Sequence, residues 1–283
     1  MVTPLFVYII IGIIILLVLI CFFIIRYENT HFKVTSYELK CPKLKKKVTM
    51  AVLADLHDYR YGPDNEQLMQ AIDEIKPDMV VSAGDMITDS CSDGSDAGTF
   101  DFLQSVSEKY TFVYGCGNHE DKRLRRDKKE RNEPIKRLGI LDNECRDFDE
   151  YGIRFYGLNL EYTYFRKVIL RKTDAEHIKA LVGEPSEDHL NILMGHNPDQ
   201  FDAYVDWGAD LVLAGHIHGG MVATPWHRGL VSPMFKLFPS YDRGIFKRGN
   251  TTMVLSAGLG NHTIHVRMFN PAELIKLELV PEN

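Results

Sequence analysis

The chain has 283 residues, 45% hydrophobic and 25% charged, with a formal net charge of −6. A chain of that size buries a large core, as one large domain or two small ones. The mildly acidic balance argues against nucleic acid as the primary partner, because binding to a phosphate backbone is carried by an excess of Lys and Arg.

From Pro4 to Ile25 no residue is charged. At about 1.5 Å per helical residue, such a run spans a hydrocarbon core of roughly 30 Å. No Lys or Arg precedes it and no small-residue cleavage site follows, so a retained single-pass anchor is expected in place of a signal peptide. Arg26, Lys33, Lys40, Lys43, Lys45, Lys46 and Lys47 all follow the run. By the positive-inside rule they point the rest of the chain to the cytoplasm. The same basic segment is suited to anionic headgroups, and residues 28–47 are expected to form a juxtamembrane linker. Cys21, Cys41, Cys91, Cys116 and Cys145 have no C-x-x-C spacing, which fits free thiols better than a disulfide framework or a thiolate zinc site.

Val48 to Ala54 reads as a buried strand that stops at Asp55-Leu-His57-Asp58. A helix with apolar residues Leu68, Met69, Ile72 and Ile75 follows, and Lys76-Pro77 ends it. The strand Asp78 to Ser82 runs into Gly84-Asp85. After a helix around Phe100 to Lys109, the strand Thr111 to Tyr114 runs into Gly117-Asn118-His119-Glu120. Beyond a charged stretch, strands are expected at Gly152 to Leu158, with a polar helix around Thr173 to Leu181. Asn191 to Met194 leads to Gly195-His196, and Asp210 to Leu213 leads to Gly215-His216-Ile-His218-Gly-Gly220. The tail, Thr251 to Ala257 and Ile264 to Leu279, reads as strands with turns at Gly258 and Asn270-Pro271.

Five apolar runs thus end in short polar clusters, and strand ends are where α/β sheets place their sites. The clusters supply carboxylate, imidazole and amide donors without thiolates, a set suited to Mn²⁺, Fe²⁺/Fe³⁺ or Zn²⁺. Seven candidate ligands exceed what one zinc takes, so two divalent ions are expected. Two ions roughly 4 Å apart can clamp a phosphoryl group during in-line displacement.

Asp55-Leu-His57, Gly84-Asp85, Gly117-Asn-His-Glu120, Gly195-His196 and Gly215-His-Ile-His218 together resemble, in order, the five blocks of the calcineurin-like metallophosphoesterases. The resemblance covers roughly residues 48–280. It implies a four-layer α/β/β/α sandwich of two mixed sheets, here following the N-terminal transmembrane helix. Together with the apolar run and the lysines after it, this gives an expected partition into anchor (1–27), basic linker (28–47) and metallophosphoesterase domain (48–283). Asp55, His57 and His218 would hold one metal and Asn118, His196 and His216 the other, with Asp85 bridging. His119 would be catalytic, facing the phosphate to stabilise the transition state or protonate the leaving oxygen, roles open to an imidazole that titrates near neutral pH. The chain is most similar to a membrane-associated bacterial branch, some of whose members act on lipid-linked nucleotide sugars. It departs from that branch at Met221, where glutamine is usual, and at Asn270-Pro-Ala-Glu273, where Asn-Pro-Pro-Glu is common.

The expected activity is a membrane-anchored, binuclear-metal hydrolase of phosphodiester or pyrophosphate bonds. Its partners would be the lipid bilayer and a phosphorylated small-molecule or lipid-linked substrate. The alternatives are a tethered phosphodiesterase of soluble nucleotides and a non-catalytic metal-binding scaffold. Asp58 and Glu120 are read equally as acceptors for ligand histidines and as solvated loop acids, while Asp78, Asp89 and Asp93 are read as turn or cap residues. The basic run Lys122 to Arg131 reads first as a solvated helix face and second as a phosphate-steering surface. Trp226, Leu230, Met234, Phe235, Leu237 and Phe238, broken by Pro225, Pro233 and Pro239, form either a core loop or an amphipathic lid.

Overall fold

The computed structural model describes residues 4–89, 96–126, 129–166, 171–224, 229–232, 237–261 and 265–282. The chain runs α1 (Pro4–Thr30), β1 (Phe32–Cys41), β2 (Val48–Leu53), α2 (Glu66–Ile75), β3 (Met79–Ser82), α3 (Ala97–Lys109), β4 (Thr111–Gly115), α4 (Asn118–Arg126), α5 (Lys129–Arg137), β5 (Ile140–Leu141), β6 (Glu144–Phe148), β7 (Ile153–Gly157), α6 (Ala175–Val182), β8 (Leu190–Met194), α7 (Phe201–Trp207), β9 (Leu211–Ala214), β10 (Val222–Ala223), β11 (Gly229–Val231), β12 (Gly244–Arg248), β13 (Thr251–Leu255) and β14 (Ala272–Pro281).

Two six-stranded mixed sheets carry the fold, in the orders β1-β14-β2-β3-β4-β5 and β12-β13-β9-β8-β7-β6. In the first sheet β2, β3, β4 and β5 are parallel, and β14 joins β2 antiparallel. In the second, β7, β8, β9 and β13 are parallel. Alternation along β2 explains how the layers form. Met50 and Val52 turn inward to meet Phe155, Ile192 and Leu213 of the second sheet. Ala51 and Leu53 turn outward, under Leu68 and Ile72 of α2 and Leu103 of α3. Tyr156, Leu193 and Val212 face the other way, under Ile178 of α6 and Tyr204 of α7. The result is the expected α/β/β/α sandwich, with the central parallel strands β2, β3, β8 and β9 covered on both faces, as such strands require.

Helix α1 is long and apolar enough to cross a membrane, and its most apolar stretch is buried against nothing in the protein. Where a linker is expected over 28–47, the chain forms β1, paired in parallel with β14 from Phe32↔Ala272 to Cys41↔Pro281. Thr35, Tyr37, Leu39 and Cys41 turn toward the protein while Lys33, Glu38 and Lys40 stay exposed. The charges of this edge strand hide its period of two. In the tail, β14 begins only at Ala272, and residues 265–271 form an irregular segment.

Candidate metal centre

The five polar clusters meet along one edge of the sandwich, beyond the carboxyl ends of β2, β3, β4, β8 and β9. His57 Nε2 lies 3.2 Å from His218 Nε2, and it lies 4.0 Å from Asp55 Oδ1 and 3.9 Å from Asp85 Oδ2. On the other side His196 Nε2 stands 3.1 Å from the same Asp85 oxygen. Donor atoms converge within 4.8 Å in three sets: Asp55, His57 and His218; His57, Asp85 and His119; and Asp85, His196 and His216. Asn118 is buried beside them, and its Oδ1 has no hydrogen-bond partner. A buried acceptor left unsatisfied is costly, and two ring nitrogens that face each other cannot both donate. Both features fit a cation between them.

The backbone is held away from ordinary conformations to aim these groups. Asp55, His57, Asp85, His216 and His218 all have positive φ, from 49° to 72°. For residues with a Cβ this region is sparsely populated and persists only where the surroundings enforce it. Glycine clears the space beside the carboxylates. A Cβ on Gly215 would fall 2.5 Å from Asp55 Oδ2, and one on Gly117 would fall 2.3 Å from Asp85 Oδ1.

The electrostatics are those of a site built for positive charge. Burial works against a charged His196, yet the Asp85 and Asp55 carboxylates outweigh it and push the ring up to about 10. Burial, with the Asp85 charge adding to it, raises Asp55 to about 7, although His196 opposes the shift. His218 goes the other way: burial and the Arg267 guanidinium hold it far below the ordinary imidazole range, so it stays a neutral imidazole.

His119 Nδ1 is engaged by Asp89, through the backbone amide at 3.0 Å and through Oδ1 at 2.9 Å. Burial lowers the ring's proton affinity, but Asp85 and Asp89 more than offset this and raise it. Asp89, read from the sequence as a turn residue, therefore orients the candidate acid. Lys122 Nζ sits 3.4 Å from Asp89 and over the ring of Tyr162, whereas Arg123 is buried on Asp96. The start of the basic run is thus packed into the protein, in place of a wholly solvated face. Asp93 and the side chains of 126–131 lie outside the described residues.

Glu120 and Asp58 are structural acceptors. The Glu120 carboxylate takes the amides of Asp85, Met86 and Gly117 and the hydroxyl of Tyr114. Asp58 takes the amide and hydroxyl of Thr88. Two further residues were not singled out as supports by sequence reasoning. Arg267, fully buried, donates to the carbonyls of Ala257, Gly258 and Gly260, and the Gly260 carbonyl lies 3.2 Å from His218 Nδ1. Asn270 donates to the carbonyls of His218 and Gly220. Such partners of ligand groups fix their direction.

The family model for calcineurin-like phosphoesterases matches residues 48–220, the stretch that carries all five clusters. The chain belongs to the calcineurin-like phosphoesterase family. It is 27% identical over 273 residues to an uncharacterized metallophosphoesterase of Campylobacter jejuni, covering 93% of this chain and 68% of that one. It is 25% identical over 250 residues to the uncharacterized metallophosphoesterase YkuE of Bacillus subtilis, covering 81% and 77%. A shorter match, 30% identical over 89 residues, relates 29% of this chain to 27% of the UDP-2,3-diacylglucosamine pyrophosphatase LpxG of Chlamydia muridarum. The chain is thus a metal-dependent phosphoesterase with Asp and His side chains gathered as candidate ligands.

Proposed function

We propose that this calcineurin-like phosphoesterase is a membrane-anchored hydrolase of phosphodiester or pyrophosphate bonds in a lipid-linked substrate. Asp55, His57 and His218 would hold one divalent cation and Asn118, His196 and His216 a second. The observation that carries the two-cation reading is the position of Asp85 Oδ2, 3.9 Å from His57 Nε2 and 3.1 Å from His196 Nε2. A carboxylate oxygen there bridges both sets. When bound, the pair of cations supplies Lewis-acid charge stabilisation and an activated water for in-line attack on phosphorus.

The remaining chemistry belongs to the protein. With Nδ1 turned to Asp89, the His119 ring would donate a proton to the oxygen that leaves phosphorus. The nearby Asp85 and Asp89 carboxylates raise the ring's proton affinity and so favour the protonated donor. Lys122, 3.4 Å from Asp89, adds positive charge near His119. The phosphate is thereby met by protein groups that favour the charge it gathers in the transition state.

The apolar α1 supports membrane anchoring. The hydrogen bonds of its last residues, Glu28 and Asn29, to the domain support its retention over cleavage. The lysines after it favour a cytoplasmic domain. The partial likeness to a diacylglucosamine pyrophosphatase supports a lipid-linked pyrophosphate as the substrate class.

The test is hydrolysis by the full chain in detergent with Mn²⁺. Soluble nitrophenyl diesters and lipid-linked pyrophosphates would be compared for wild type, Asp85→Asn and His119→Ala. Turnover in the wild type that both substitutions abolish is expected. Equal inactivity of all three on every substrate would replace the enzyme by a metal-binding scaffold, and turnover of soluble nucleotides alone would remove the lipid.

A further inference from the structure

The topology fixes where α1 joins the domain. Strand β1 is parallel to β14, and β14 is antiparallel to β2, with Ile275 opposite Val52. Phe32 therefore begins at the end where β2 finishes, the end that carries Asp55. Helix α1, which ends at Thr30 with His31 between it and β1, arrives at the edge of the sandwich that holds the candidate metal centre.

Its last residues are tied into that edge. Glu28 accepts the backbone amide of Asn270 at 2.9 Å, and Asn270 in turn donates to the carbonyls of His218 and Gly220 at 2.7 and 2.8 Å. Asn29 Oδ1 accepts from the Arg267 amide at 3.0 Å and from Asn261 Nδ2 at 3.2 Å, while its Nδ2 donates to the His265 carbonyl at 2.7 Å. Two hydrogen-bonded steps thus separate the helix from His218. Glu28 lies three residues beyond Ile25, the end of the uncharged run, which is about 4.5 Å along a helix axis. The headgroup layer is roughly 5–8 Å deep on each side of the hydrocarbon core. A helix that crosses the membrane leaves the His216–Gly220 loop no room to lie far from the headgroups.

The same edge carries exposed apolar side chains. The irregular segment that receives Asn29 also pairs with β10, through the amide of Ala223 and the carbonyl of Met268. β10 pairs with β11, and β11 with the following segment through Val231↔Leu237 and the amide of Phe238. Leu237 and Phe238 are 70% and 71% exposed, the most exposed large apolar residues outside α1 among the described residues.

We infer that the metal-bearing edge is the membrane face of the domain, with Glu28 and Asn29 holding it against the headgroups and Leu237 and Phe238 entering the interfacial layer of the same leaflet. The partner is the phospholipid bilayer itself, since the chain's own helix enters it at this edge. Side chains of this kind bury their apolar surface at the headgroup boundary. The substrate's phosphate then reaches the centre from the leaflet, with no need to leave it for bulk water. The inference rests on the reading of α1 as an anchor and deepens the proposed substrate class.

The test places p-benzoylphenylalanine at Phe238 in one full-length chain and at Glu150, in the turn at the far edge of the sandwich, in another. Each is reconstituted in phosphatidylcholine and phosphatidylglycerol vesicles and irradiated. Lipid adducts at 238, several-fold above those at 150, are expected. Equal yields, no lipid adduct at 238, or crosslinks from 238 to a second copy of the chain would overturn the inference. Extraction of the wild type by alkaline carbonate would overturn the anchor reading and the inference with it. Adduct formation needs no turnover, so a failed hydrolysis assay and a failed orientation are told apart.

Discussion

Glu120 holds the loop that presents Asp85: its carboxylate accepts the amides of Asp85 and Met86, each at 2.8 Å, from a fully buried position. The same group accepts Gly117 N and Tyr114 Oη. This side chain therefore fastens the loops after β3 and β4 to one another. Glu120→Gln keeps the shape but turns an amide NH₂ toward backbone donors. A stability loss of about 1–3 kcal/mol is expected, the cost of leaving buried polar groups unmet. Urea unfolding of the full chain in detergent measures it, and an unchanged midpoint would leave the loops without this fastener.

The contact between Asp89 and His119 sets the pH dependence of the proposed acid. Since Asp85 and Asp89 raise the proton affinity of His119 against the effect of burial, Asp89→Asn lowers it. The protonated donor is then lost at lower pH, and the alkaline limb of the kcat profile moves toward acid. An unmoved limb, with only the maximum reduced, would mean that Asp89 orients the ring without tuning it.

Cation uptake should be linked to protons. In the metal-free protein His196 stays protonated up to about 10 and Asp55 up to about 7, and a ligand must release its proton before it binds metal. Affinity for Mn²⁺ is expected to rise with pH, with net proton release at pH 7. Calorimetry in buffers of different ionisation enthalpy reads that release directly. Binding that ignores both pH and buffer would contradict the assignment of these two groups as ligands.

Gly215→Ala isolates the steric demand beside Asp55. The new Cβ would fall 2.5 Å from Asp55 Oδ2 and 3.2 Å from the His196 ring, so both groups must move. The contact lies just beyond the ends of β8 and β9, outside their paired residues, and the fold is expected to persist while bound Mn²⁺ falls. Far-UV circular dichroism and metal analysis on the same sample would show the two effects apart. Full metal content in the variant would mean that the edge is more compliant than its packing implies.

The strands β2, β3, β4, β8 and β9 and the groups at their ends were legible because each apolar run stops at a short cluster of Asp, Asn or His. The sandwich followed from those runs and from the family blocks. Strand β1 was hidden because Lys33, Glu38 and Lys40 occupy the exposed side of an edge strand, so charge masked alternation. Asp89, Arg267 and Asn270 were not legible as supports. Each acts on a group of the candidate site distant in sequence, as Arg267 does through Gly260 on His218, and no local spacing encodes such a contact. The segment from Trp226 to Phe238 was read as core loop or lid. Leu237 and Phe238 are exposed, while Trp226, Met234 and Phe235 lie outside the described residues.

The most direct measurement of the central claim is anomalous scattering from crystals of the full chain grown with Mn²⁺. Two peaks are predicted, one among Asp55, His57 and His218 and one among Asn118, His196 and His216, with Asp85 between them. A single peak, or none at these residues, would contradict the two-cation account.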